Sequence, residues 1–236
     1  MYILPISRNE LLKYMPQQAK VAEIGVASGE YSKCILDVTM PKVLHLIDPW
    51  KFQDREDYKV DDNNVDDDEQ EGRFNNVKSK FVMEVLKGQV VIHRKYSVEA
   101  ADAFEAKGLD WVYVDGMHTY DAVLADLNAF NSILVESGFF LCDDFTNHSV
   151  ARDMNFGVVE AIHEFTKSND WHLIAMTNDM FPNCLLSRDP KNESTLTLLG
   201  KVLLNVPNVV KINDPWNYRH DQYNFDNNEF RLIPSF

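Results

Sequence analysis

Apolar and polar positions alternate along this chain in a repeated rhythm of short apolar runs and longer amphipathic stretches. The short runs Lys20 to Val26, Lys42 to Ile47, Gln89 to His93, Leu109 to Val114 and Phe139 to Cys142 predict buried strands. Between them the apolar residues fall at helical spacing, which predicts helices over Gly29 to Thr39, Arg73 to Leu86, Ser97 to Lys107 and Thr119 to Leu134. Ser97 is placed to N-cap the third of these, with Glu99 in its first turn. A short lead-in helix is expected over Asn9 to Met15 and a further helix over Val150 to Thr166. His172 to Met176 and Cys184 to Ser187 read as a final strand pair. Strands alternating with helices predict an α/β fold: a doubly wound, Rossmann-like sheet, mostly parallel with an antiparallel last strand, and helices on both faces.

Length and pattern suggest one domain over 1–236, with a core of about 18–190. Two segments break the rhythm. Residues 51–73 are rich in Asp, Glu and Asn, including the run Asp61 to Glu69, and read as a solvated acidic loop or as a lid over a site. A calcium loop fits poorly, because the regular ligand spacing and central glycine are missing. The extension 191–236 is less regular. Its aromatic residues Trp216, Tyr218, Tyr223, Phe225 and Phe230 suit packing, the lining of a substrate pocket, or a homo-oligomer interface.

The formal net charge of −14 argues against a nucleic-acid partner, since phosphate binding needs Lys and Arg surfaces. No apolar stretch approaches a membrane span, and the N-terminus lacks a signal-peptide pattern, so no membrane partner is expected. Cys34, Cys142 and Cys184 are scattered, which fits reduced thiols in the cytoplasm.

In a doubly wound sheet, ligands bind at the carboxyl ends of the strands. The first strand ends in Glu23-Ile24-Gly25-Val26-Ala27-Ser28-Gly29, whose two glycines allow a tight turn and close approach of a nucleotide-like cofactor. The spacing is not that of the dinucleotide Gly-x-Gly-x-x-Gly turn. The second strand ends at Asp48, about where a carboxylate accepting ribose hydroxyls is expected. The fourth ends in Asp115-Gly116-Met117-His118 and the fifth in Asp143-Asp144. Neighbouring strand ends would bring Asp115, Asp143 and Asp144 together, a set suited to a hard divalent cation such as Mg²⁺. Alternatively, the Asp pair caps a turn while Asp115 meets only the cofactor. An unperturbed imidazole titrates near neutral pH, so His118 is a candidate general base, a neighbour of the cofactor or metal, or a structural residue.

Glu23-x-Gly25-x-x-x-Gly29 resembles the first motif of class I S-adenosylmethionine (SAM)-dependent methyltransferases. Asp115-Gly116-Met117-His118-Thr119-Tyr120, with Asp126-Leu127, is similar to the signature of their methyltransferase domain 24 branch. Ile47-Asp48-Pro49-Trp50 and Ser137 to Asp144 match the same branch, with Ser137 replacing a glycine and Ala27 standing where many methyltransferases carry one. The resemblance covers roughly residues 20–165. It implies SAM binding by Glu23, Gly25, Ser28, Gly29, Asp48, Ser97 and Asp115, with Ser97 beside the adenine. By similarity to metal-dependent O-methyltransferases, Asp115, Asp143 and Asp144 would hold the cation. His118 and Asp115 would be catalytic. The implied reaction is O-methylation of a small molecule or sugar hydroxyl. A nicotinamide-dependent oxidoreductase and a methyltransferase-like binding protein without activity are the other readings.

Overall fold

A computed structural model of the chain describes residues 1–217, 219–225 and 229–235. Tyr218 therefore lies outside the described residues. The chain begins with β1 (Tyr2–Leu4) and α1 (Arg8–Leu11), and the alternation then starts with β2 (Lys20–Ile24), α2 (Glu30–Thr39) and β3 (Val43–Ile47). It continues through α3 (Asp67–Lys80), α4 (Val82–Leu86), β4 (Val90–His93), α5 (Ser97–Ala101), β5 (Leu109–Val114), α6 (Tyr120–Asn131) and β6 (Leu134–Cys142). The C-terminal part holds α7 (Ser149–Asp153), α8 (Val158–Ser168), β7 (His172–Thr177), β8 (Cys184–Ser187), α9 (Glu193–Asn205), β9 (Val210–Lys211), β10 (Arg219–Asn224) and β11 (Phe230–Ser235).

The main sheet has the order β4-β3-β2-β5-β6-β8-β7-β1-β9, and β10 pairs with β11 in a separate hairpin. Strands β4, β3, β2, β5 and β6 run parallel, and β8 lies antiparallel between β6 and β7. This is the expected Rossmann-like sheet, extended at its far edge by β1, parallel to β7, and by antiparallel β9. Successive strand residues face opposite sides. Trp111 and Tyr113 of β5 join a core with α2 and α9, while Val112 and Val114 pack against α6 and α8 on the other face. Burying a side chain such as Phe140, which is fully enclosed, stabilises the fold by roughly 2–3 kcal/mol.

Register sets up the site. Ile24 pairs with Ile47 and with Val114, and Val114 pairs with Cys142. The residues that follow these, Gly25, Asp48, Asp115 and Asp143, therefore leave the sheet along one carboxyl edge.

Several elements differ from the sequence expectation. The acidic run is not all loop: Asp66 caps α3, accepting the Glu69 amide, and Asp67, Asp68 and Glu69 fill the first turn, where the helix dipole favours anions. The helix expected over 150–166 is split at Phe156-Gly157. Gly157 passes so close to α6 that a Cβ there would lie 2.7 Å from the Tyr120 amide nitrogen. Leu134 starts β6 rather than ending a helix, and Glu193–Asn205 forms a capped helix inside the extension. Tyr96, not Ser97, is the N-cap of α5. In the tail, Trp216 stacks on His163 of α8 with ring centroids 4.4 Å apart, and Ser149 is hydrogen-bonded to Gln222 at 2.8 Å. Tyr223, Phe225 and Phe230 are exposed. Among the described residues no helix is long and apolar enough to cross a membrane.

Candidate functional site

Two cavities meet at the carboxyl edge of the sheet. The first, of about 610 Å³, is floored by the turn after β2 and lined by Glu23, Gly25, Ser28, Asp48, Ser97 and Asp115, among others. Gln53, Arg55, Tyr58 and Asn63, from the connection between β3 and α3, form its far wall. That part of the acidic segment therefore lines the site instead of standing free in solvent. Gly29 is absent from the lining: it sits at φ +74°, precedes α2 and packs against Phe81 and Val77.

Gly25 has φ +84°, and a Cβ at this position would lie 1.8 Å from the Asp115 carbonyl oxygen. Only glycine lets β2 and β5 come this close. Ala27 also adopts a left-handed conformation, φ +47°, in place of a glycine. The segment after β3 braces it. Asp48 Oδ2 accepts the amides of Val26 and Ala27, both at 3.0 Å, Asp48 Oδ1 accepts the Trp50 amide at 2.7 Å, and Trp50 Nε1 donates to the Ala27 carbonyl at 2.8 Å. Asp48 thus lines the cavity but spends most of its accepting capacity on the turn, leaving room for about one further hydroxyl.

Glu23 is buried under the turn. Burial pushes its carboxyl up to about 8 against the countering effect of the nearby Ser32 hydroxyl, and the charges of Asp115 and Asp48 add to the rise. Its Oε2 has no hydrogen-bond partner among the described residues. At the opposite end, the Ser97 hydroxyl donates to Asp126, whose carboxyl burial pushes up to about 7. Asp126 lines the cavity, a role that its place in the sequence signature did not reveal.

The second cavity, of about 640 Å³, shares Arg8, Asn63 and Asp115 with the first. It adds Asp61, His118, Asp143, Asp144 and Asp179, with Phe156 and Phe181 among its apolar walls. His118 is buried against Phe156 and ringed by carboxylates. Its Nε2 lies 3.2 Å from Asp115 Oδ1 and 3.5 Å from Asp144 Oδ2, and its Nδ1 lies 3.8 Å from Asp61 Oδ2. Burial alone would lower the imidazole pKa. The contacts to Asp115 and Asp61 and the charge of Asp144 outweigh it and hold His118 well above its ordinary range. These contacts favour the charged form of His118, in which it orients the carboxyl groups around it. Asp144, in the left-handed region at φ +54°, is pushed up by burial to about 6 despite the His118 charge.

Arg8 and Asp61 were not foreseen as site residues. Arg8 opens α1, whose capping box joins Ser7 and Glu10; the spacing Ser7-Arg8-Asn9-Glu10 was the available signal for the helix start. Its guanidinium lies 4.7 Å above the Tyr31 ring, Nη1 donates to Tyr113 Oη at 3.1 Å and to Asp143 Oδ2, and it approaches Asp115 Oδ2 at 3.8 Å. Asp143 Oδ1 in turn accepts the Asn183 amide at 2.5 Å.

These contacts decide how well Asp115, Asp143 and Asp144 fit a divalent cation. Both oxygens of Asp143 already take donors, and Asp115 and Asp144 both turn to His118. Among the described residues no three Asp, Glu, His or Cys side chains are placed to hold a metal ion. The expected ligand set is assembled in one cavity but organised around Arg8 and His118 instead.

A family model described as a methyltransferase domain matches residues 22–145, just over half of the chain and a span that includes Gly25, Asp48, Asp115 and Asp143. No curated protein sequence matches. Among solved structures, the fold is similar to that of a candidate rRNA methylase from Clostridium thermocellum (12% identity, 76% of this chain and 92% of that one, TM-score 0.53). It is also similar to a methyltransferase from Geobacter sulfurreducens (13% identity, 79% and 82%, TM-score 0.50). A third is NcsB1, an O-methyltransferase from neocarzinostatin biosynthesis solved with SAM and 2-hydroxy-5-methyl naphthoic acid (11% identity, 77% and 53%, TM-score 0.53). At these identities the likeness is one of fold. The family match, on a sheet of the order described, establishes that the chain belongs to the methyltransferase-domain family of class I SAM-dependent enzymes.

Proposed function

We propose that this chain transfers the methyl group of SAM to a hydroxyl oxygen of a small molecule or glycan. The observation that carries the reading is the shared wall: Asp115, Arg8 and Asn63 line both cavities, so a cofactor in one and an acceptor in the other meet at Asp115. In this reading SAM lies over Gly25 to Ser28. Its amino group faces Glu23, whose Oε2 lacks a partner and would be ionised by a nearby cation. A ribose hydroxyl reaches the remaining capacity of Asp48, and the base lies towards Ser97 and Asp126.

Methyl transfer is an in-line displacement, so the protein's main tasks are positioning and removal of a proton from the acceptor. The acceptor oxygen attacks the sulfonium methyl, the carbon–sulfur bond breaks, and S-adenosylhomocysteine leaves. The proton goes to a carboxylate of the second cavity. Asp144, with a pKa near neutrality and held by His118, suits this task better than the imidazolium itself. Asp115, its carboxyl pushed up to about 8 by burial and the Asp143 charge, is hydrogen-bonded to His118 and forms the wall at the reacting atoms. No step is assigned to Mg²⁺, because the candidate ligands are engaged elsewhere.

Incubation with SAM labelled in its methyl group and a panel of hydroxyl- and amine-bearing small molecules and glycans tests the reading by mass spectrometry. Label on an acceptor oxygen is expected. Label on nitrogen, or none transferred across the panel, would overturn it.

A further inference from the structure

We propose that Arg8 holds the place that a divalent cation takes in a carboxylate-lined acceptor site, so that this acceptor cavity is built around a guanidinium and binds no metal ion. The proposal rests on the methyltransferase reading for the purpose of the cavity, but not for the position of Arg8. Four contacts fix that position: Asp143, Tyr113, the Tyr31 ring and, at 3.8 Å, Asp115.

The backbone carrying Arg8 is held as well. Tyr2–Leu4 is paired with β7, Ser7 and Glu10 form the capping box, and Leu11 and Leu12 are fully buried. The guanidinium therefore reaches the carboxyl edge from a fixed helix start, not from a free tail. It belongs to the N-terminal segment before residues 22–145, so it is not part of the matched family domain.

The chemistry follows. Arginine stays charged at any working pH and offers directed N–H donors in a plane. A cation bound between Asp143 and Asp115 would meet the guanidinium at contact distance, and like charges at that separation exclude one another. Arg8 lines both cavities, so its charge lies where negative charge develops on an acceptor oxygen during methyl transfer. It would stabilise that charge without a Lewis acid.

Mn²⁺ alone is the probe, read by the loss of its free-ion electron paramagnetic resonance signal on titration with the full chain. The wild type is expected to leave the signal unchanged. Arg8→Gln, which removes the charge and keeps most of the volume, is expected to bind one Mn²⁺ per chain at least tenfold more tightly than the wild type. Uptake of Mn²⁺ by the wild type would overturn the proposal, and needs no variant. No uptake by a folded Arg8→Gln, checked by thermal melting, would also overturn it, because Arg8 would then be standing in for nothing. A separate titration with S-adenosylhomocysteine distinguishes the two readings: its failure in the wild type would sink the methyltransferase reading and leave the Mn²⁺ result to be judged by itself.

Discussion

Nε2 of His118 lies 3.2 Å from Oδ1 of Asp115, at the junction of the two cavities. Asp115 leaves β5 directly into Gly116, and His118 comes three residues later, two before α6 begins, so the pair is set by local sequence. What the pair does is set by distant residues: Asp61 and Asp144 close the carboxylate ring around the imidazole.

The stability that His118 contributes depends on pH in a definite direction. Its folded pKa is raised well above the unfolded value near 6.5. The contribution is therefore fully present below pH 6.5 and is lost as pH rises through the raised folded pKa. His118→Asn should cost about 3 kcal/mol at pH 6, the order expected when a buried charge pair is broken. The cost should shrink at alkaline pH. Denaturant melts of both proteins across that range check this; a pH-independent difference would contradict it.

Gly25 tests the turn. A Cβ there would overlap the Asp115 carbonyl, at 1.8 Å, and φ +84° is unfavourable for alanine. Gly25→Ala should destabilise by several kcal/mol, since two packed strands must separate. It should also abolish cofactor binding. Gly29→Ala meets only the side chains of Phe81 and Val77, at 3.0 and 3.1 Å, and should be milder in both respects, although its φ of +74° still strains alanine. Melting and calorimetry on the pair give the ranking.

Asp48 is expected to act on the cofactor mainly through the turn it braces. Removing its three amide bonds in Asp48→Ala should cost about 2–3 kcal/mol, because the Val26, Ala27 and Trp50 donors lose a charged acceptor. Cofactor affinity should fall at least tenfold. Asp48→Asn retains one acceptor oxygen and should be intermediate. Equal stability of Asp48→Ala and wild type would show that the amides find other partners.

Closure of the 51–66 segment over a ligand has its own readout. Gln53, Arg55, Tyr58 and Asn63 wall the first cavity, so a bound ligand should order and protect the 51–66 segment. Limited proteolysis should cut there more slowly with S-adenosylhomocysteine than without it. Unchanged cleavage would mean that the segment does not close over the ligand.

The sheet, its order-defining glycine turn and the carboxylates at its edge were legible in the sequence. Each depends on local pattern: apolar runs, a glycine spacing, an Asp after a strand. Ser97 lines the first cavity, and its hydroxyl serves Asp126 rather than a helix cap. Arg8 was not legible because one arginine after a short apolar run carries no signal; its meaning comes from Asp143, distant in sequence. Asp61 was hidden in an acidic run that resembles surface, and only the folded segment shows that it alone among Asp61 and Asp66 to Asp68 is buried. The regularity of α9 and the start of α3 were obscured because polar caps and acidic first turns look like loop composition.

Calorimetric titration of the full chain with S-adenosylhomocysteine tests the central claim most directly. The expected result is one site per chain with micromolar affinity, lost in Gly25→Ala. No binding at millimolar ligand by folded wild-type protein would contradict the account.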